Sequence, residues 1–224
     1  MLSRRLKTIA ALVPFGARVC DIGTDHAILP VFLSENTLVK SIIATDVREK
    51  PLKNAKKNIE KSGAANIELR LCDGFSCISP DEFDTAVIAG MGGEVISGII
   101  SRAEMLKNAD KLLILQPTTS PEILRKFLCD NGFVIETEIP LTDNGKIYSV
   151  MSVRYSGETK IYDEAYYYVG DIKPDSPEGL AYIEKQYYRF KDCADALRPI
   201  PEKLNEYKAY RSLAEKIRSI RDGV

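Results

Sequence analysis

Three short apolar runs in the first third of the sequence end at or beside an aspartate. Asp21 opens D-I-G-T-D-H-A at 21–27, Asp46 closes S-I-I-A-T-D at 41–46, and Asp73 follows I-E-L-R-L-C at 67–72. Each suits a different part of one ligand. Asp46 lies 23 residues beyond Gly23, where an acid can accept both hydroxyls of a ribose. Asp73, followed by Gly74, can accept from an adenine amino group. Gly23 lets backbone approach a ligand closely, and the helix after it offers free N–H groups to a carboxylate. A dinucleotide site needs G-x-G-x-x-G for its pyrophosphate. Here the second and third glycines are missing, and Asp25 would repel a phosphate. Asp25 can instead pair with an ammonium group. Each acid alone also reads as an ordinary turn or helix cap. Together they point to a cationic amino-acid nucleoside, S-adenosylmethionine, and away from a nicotinamide cofactor.

A second group of residues suits an acceptor. Gly90-Met91-Gly92-Gly93 follows a fourth apolar run, and so many glycines let a flat ring or a backbone lie close. Met91 can pack against the cofactor. Gln116-Pro117 forms a stiff polar lip after a fifth run, and Tyr148 offers a stacking face for a base, although plain sheet packing explains it as well. His26, the one histidine, stands beside the first loop. No residues have metal-ligand spacing, so no metal is expected, and no Ser/His/Asp arrangement is visible.

The elements that must hold these residues follow from periodicity. Strands are expected over 18–22, 41–46, 67–72, 84–89 and 111–116, alternating with helices over 28–34, 50–62, 93–105 and 120–131. Short runs rich in Ile, Leu and Val suit parallel strands covered on both faces. Beyond Gly132 two strand-like runs, 133–141 and 146–155, flank Asn144-Gly145, a strong hairpin signal. The fold class is therefore α/β, a Rossmann-like class I methyltransferase sheet of parallel strands ending in an antiparallel hairpin. The tail differs. Leu180, Ile183, Tyr187, Phe190, Ala194 and Leu197 form a heptad seam, Arg198-Pro199-Ile200-Pro201 breaks it, and Tyr210, Leu213, Ile217 and Ile220 resume it. Two such helices predict an antiparallel coiled-coil hairpin. The expected division is a catalytic domain over 1–160 and a helical domain over 161–224.

Composition bounds the rest. The chain has 224 residues, is 45% hydrophobic and carries a net charge of -1, so a nucleic-acid site must be a local basic patch. The first 18 residues and the tail are basic, and the body between them is acidic. An odd number of cysteines without C-x-x-C spacing predicts reduced thiols in a cytoplasmic protein. The start, from Met1 to Phe15, faintly imitates a signal peptide, but Pro14 and Gly16 interrupt it. No run is long enough to span a membrane.

Several pieces together resemble a known family. L-S-x-R-L at 2–6, D-I-G-T-D-H-A-x-L-P at 21–30, A-T-D-V at 44–47, L-C-D-G at 71–74, A-G-M-G-G at 89–93 and L-Q-P at 115–117 are similar to the bacterial tRNA (adenine(22)-N(1))-methyltransferases, TrmK. Thr24 stands where many relatives are expected to have serine, which keeps the hydroxyl. The resemblance covers the whole chain. It implies methyl transfer from S-adenosylmethionine to N1 of adenine 22 in tRNA. Carried over by position, Asp21, Gly23 and His26 line the methionine end of the cofactor, Asp46 and Val47 hold the ribose and one adenine face, and Asp73 and Gly74 hold the adenine edge. Gly90 and Met91 also border the cofactor. Arg5, Gly92, Gly93, Gln116 and Tyr148 fall on the substrate side, and Asp25 or His26 is expected to orient the base. The tail is expected either to touch phosphates through Lys185, Arg189, Lys191, Arg211 and Arg218 or to form a weak dimer. The rival readings are a methyltransferase of the same fold for another RNA position, a small metabolite or a protein, and a catalytically silent RNA-binding protein.

Overall fold

The computed structural model describes residues 2–36 and 39–223. Met1, at the head of the signal-like start, lies outside them. Seven strands form one sheet: β1 (Arg18–Ile22), β2 (Ser41–Asp46), β3 (Ile67–Leu71), β4 (Thr85–Gly92), β5 (Leu112–Thr119), β6 (Phe133–Asp143) and β7 (Lys146–Tyr155). Their order is β3-β2-β1-β4-β5-β7-β6, with β7 antiparallel to both neighbours and the first five parallel. The crossovers after β1 and β2 and those after β4 and β5 leave the sheet in opposite directions. The order therefore reverses between β1 and β4, which is where ligands bind in open α/β sheets.

The central strands β1, β4 and β5 are mostly apolar because both faces are covered. Val19, Val87 and Ile114 pack on one face with Ile9 of α1 (Arg4–Leu12) and with Leu29 and Leu33 of α2 (Ile28–Asn36). Their neighbours Cys20, Ile88 and Leu113 pack on the other, with Ile96 of α4 (Gly93–Ser101) and Leu124 of α5 (Pro121–Asp130). The remaining crossover helix, α3 (Glu49–Ser62), follows β2 and ends at Gly63 in the left-handed conformation.

Four features were not foreseen. Residues Arg4–Leu12 form helix α1: the Ser3 hydroxyl accepts from the Leu6 N–H, and Ile9, Ala10 and Val13 join the core. Strands β4 and β5 run on through Gly92 and Thr119, with irregular register around Met91, because the Gln116 side chain takes the Gly90 N–H at 3.2 Å. Helix α4 stops at Ser101, and a separate short turn covers 104–106. Cys72 and Cys77, expected as thiols, are joined in a disulfide. The tight turn between them, in which Ser76 N–H donates to Asp73 O, brings their Cα atoms to 5.9 Å.

The tail forms the antiparallel pair α7 (Pro177–Leu197) and α8 (Leu204–Asp222), preceded by a short helix, α6 (Glu164–Val169), that the periodicity did not reveal. Ile183, Phe190 and Ala194 of the seam are buried, and Leu180 is 37% exposed. Helix α7 also buries Tyr182 and Gln186 on a second face. There the fully buried Arg125 donates to Glu138 at 2.6 Å, to the Tyr182 hydroxyl at 2.7 Å and to the Tyr167 carbonyl at 2.7 Å. A buried charge survives only when paired and fully hydrogen-bonded. One guanidinium thus ties α5, β6, α6 and α7 together.

Candidate functional site

A cleft of about 780 Å³ opens at the carboxyl ends of β1 to β4. Asp21, Gly23, Asp25, Asp46, Val47, Asp73, Gly74, Gly90, Met91 and Arg5 line it. The strand-end acids read from the sequence therefore meet in one cavity. The reason is topological: β3, β2, β1 and β4 are adjacent and parallel, so their C-termini share an edge.

Each acid has its own surroundings. Asp21 is buried, and burial pushes its carboxyl up to about 6, against the pull of the Thr24 hydroxyl. A cation delivered to this spot would restore the ionised form. Asp46 is also buried, and one of its oxygens accepts from the Arg48 N–H at 2.8 Å and the Arg48 side chain at 3.4 Å. Among the described residues its other oxygen has no hydrogen-bond partner and can accept from a ligand hydroxyl. Asp73 is exposed and pairs with Arg102 at 3.3 Å. Asp25 is exposed, with an oxygen 3.4 Å from His26 Nε2.

The backbone shapes the floor. Gly23 has φ +79°, and a Cβ there would collide with Met91 Cε. The first loop thus meets Met91 without a gap. His26 and Ala27 both sit in the left-handed region, at φ 63° and 51°. Residues other than glycine rarely adopt it, and such strain gathers at functional loops. The turn they make leaves His26 outside the cavity wall. Its ring is half-exposed, and its carbonyl accepts from Asn58 of α3 at 2.8 Å.

On the acceptor side, Arg5 of α1 donates to Gln116 Oε1 at 2.8 Å and lies 5.9 Å from the Tyr148 ring centre. Gln116 is fully buried, and its amide donates to the Pro117 carbonyl. Arg5, Gln116, Tyr148 and Gly90 are therefore one connected group although the chain separates them widely. Gly92 and Gly93 behave differently. A Cβ at Gly92 would stand 2.9 Å from the Thr119 hydroxyl, and one at Gly93 would collide with the Ser120 carbonyl. Their smallness serves packing between β4, β5 and α5, so the close approach expected for a substrate falls to Gly90.

The cleft has further walls that motif reading missed. Arg48 follows β2, and Glu94, Val95, Gly98 and Arg102 follow β4. Glu94, Gly98 and Arg102 are spaced by four, one stripe of α4 and the turn after it, and that period was the available signal. The expected tail cations are mostly engaged within the chain. Arg189 meets Glu122, Lys191 meets Asp195, Arg218 meets Glu215, and Arg211 meets the Tyr207 hydroxyl. Partial burial and Arg189 push the Lys185 ammonium below its usual range. Among the described residues no group of His, Cys, Asp or Glu could hold a metal ion, and no helix is long and apolar enough to cross a membrane.

Comparisons with known proteins bear on this cleft. Residues 2–151 match the family model described as a methyltransferase domain. The tRNA (adenine(22)-N(1))-methyltransferase of Bacillus subtilis is 35% identical over 163 residues, 72% of this chain and 68% of that protein. Among solved structures, Streptococcus pneumoniae Sp1610 in complex with S-adenosyl-L-methionine superposes with a TM-score of 0.85 at 30% identity, covering 99% of this chain and 100% of that one. TrmK of M. capricolum, in complex with S-adenosyl-homocysteine, gives 0.82 at 26% identity, covering 99% and 98%.

Proposed function

The chain belongs to the tRNA (adenine(22)-N(1))-methyltransferase family, and from that premise we propose how its cleft transfers a methyl group from S-adenosylmethionine to N1 of adenine 22 in tRNA. The observation that carries the reading is the meeting of Asp21, Asp46 and Asp73 in one cleft beside the left-handed Gly23. The donor set fits this cofactor. A buried carboxyl raised to about 6 suits a cationic partner, and a free oxygen on Asp46 suits a ribose hydroxyl. Asp21 and Gly23 hold the methionine end, and His26, off the cavity wall, is left out of that contact. Asp46 and Val47 hold the ribose and an adenine face, Asp73 and Gly74 hold the adenine edge, and Gly90 and Met91 close the floor.

S-adenosylmethionine supplies an electrophilic methyl group on a sulfonium. Adenine N1 already has a lone pair, so no residue must remove a proton before attack. The protein's work is positioning and the stabilisation of positive charge that develops on the base. N1 normally faces its pairing partner, so the base must be splayed out of the RNA. Asp25, the exposed acid of the first loop, orients it with His26 beside it. Arg5, Gln116 and Tyr148 form the acceptor wall, with Gly90 at its edge. Ile183, Phe190 and Ala194 of the α7 seam are buried within the chain, which supports a monomer over a weak dimer. We assign its work to the cytoplasm, where tRNA is found.

The test is radiolabelled methyl transfer to tRNA that lacks the modification, followed by nucleoside analysis. One-methyladenosine is expected, and it should disappear when position 22 is changed to guanosine. Label in any other nucleoside would overturn the assignment.

A further inference from the structure

The acidic average of the body conceals a strongly basic helix. Residues 48–61 hold Arg48, Lys50, Lys53, Lys56, Lys57 and Lys61 against only Glu49 and Glu60. The helical period sorts these charges into two neighbouring stripes. Glu49, Lys53, Lys56 and Glu60 form one, and it neutralises itself: Lys53 meets Glu49 at 3.2 Å and Lys56 meets Glu60 at 3.9 Å. Lys50, Asn54, Lys57 and Lys61 form the other, spaced 4, 3 and 4. Its lysines are exposed, and among the described residues none of them meets a carboxylate.

The free stripe lies on the side of α3 that faces the first loop. Asn58 borders it, and its side chain donates to the carbonyl of His26 in the first loop. The stripe starts two residues beyond Arg48, itself a wall of the cleft. From Lys50 to Lys61 it runs about 16 Å at 1.5 Å per residue. It offers side chains that donate, with no acid among them. A folded RNA whose splayed adenine enters the cleft must lay its flanking backbone across the rim. Cations already paired inside the protein, as most of the expected tail cations are, make poorer phosphate partners than cations with no partner.

We propose that Lys50, Lys57 and Lys61 of α3 form the phosphate-binding surface that holds the tRNA backbone beside the cleft. The proposal rests on the tRNA methyltransferase reading above and adds the surface to it. Each phosphate neutralised releases counterions, so the affinity should depend steeply on salt.

The experiment compares wild type with the triple variant Lys50→Glu/Lys57→Glu/Lys61→Glu, using unmodified tRNA transcript. The expected result is a tRNA Kd weakened at least about tenfold near physiological salt, and a slope of log Kd against log salt shallower by about 2 to 3. KM for tRNA should rise more than kcat falls. Affinity for S-adenosylhomocysteine by calorimetry should stay within about twofold of wild type, which reports that the variant is folded. The glutamine triple variant should fall between the two. Unchanged tRNA affinity and salt slope in the triple variant, with wild type binding tRNA normally, would overturn the surface and leave the methyltransferase reading standing. A wild type that binds no tRNA would overturn both.

Discussion

Replacing Asp21 by asparagine should strengthen the free fold and weaken the cofactor complex, two effects of opposite sign from one carboxyl. Burial raises this group from 3.8 to about 6. An ionised Asp21 therefore costs the free protein about 3 kcal/mol near neutral pH, at about 1.4 kcal/mol for each pH unit. Because the folded value lies above the unfolded one, the cost is absent below about pH 4, grows as the pH rises to about 6, and is constant above. Asparagine keeps the shape and cannot ionise. The stability difference between variant and wild type should be near zero at about pH 4 and approach about 3 kcal/mol near pH 7, a Tm gain of several degrees at roughly 2–4 °C per kcal/mol. A cationic ligand removes the same cost, so the variant should bind S-adenosylmethionine up to about 100-fold more weakly. Binding by wild type at about pH 6 should release about half a proton, read by calorimetry in buffers of different ionisation enthalpy. A stability difference that stays flat with pH, or proton-neutral binding near pH 6, would refute the reasoning.

Three further changes probe the rest of the site. Asp46→Ala should weaken cofactor binding by about 1.5–3 kcal/mol, the range for hydrogen bonds to a charged group; unchanged affinity by calorimetry would remove the ribose role. Asp25→Ala should keep cofactor affinity and lower kcat on tRNA by about 100-fold through lost orientation of the base, and equal loss of both would move Asp25 to the cofactor. Arg125→Met leaves Glu138 buried without its partner, and should cost about 3–5 kcal/mol. Lowered Tm and proteolytic release near residue 160 would report the detached tail, and a Tm within about a degree of wild type would refute the tie.

The acids that line the cleft were legible in the sequence because their signals are local. Asp46 and Asp73 stand at the ends of apolar runs, and strand–helix alternation alone requires those ends to share an edge. The Asn144-Gly145 hairpin and the proline break at 199–201 were equally plain, since turn chemistry acts over a few residues. Other features required the folded chain. Nothing near Arg5 in sequence announces its bond to Gln116, 111 residues away. The left-handed backbone at His26 and Ala27, which leaves the histidine off the cavity wall, is imposed by the loop's packing and not by residue type. Gly92 and Gly93 looked free for a substrate until α5 filled the space beside them. The charges of α3 average away in the body's acidity, and only the contact of Asn58 with the first loop shows which flank of the helix faces that loop. Patterns of two and of 3.6 residues are written by neighbours along the chain. Partners across the fold are chosen by packing and by the need to satisfy buried polar groups, and those constraints exist only after the elements have met.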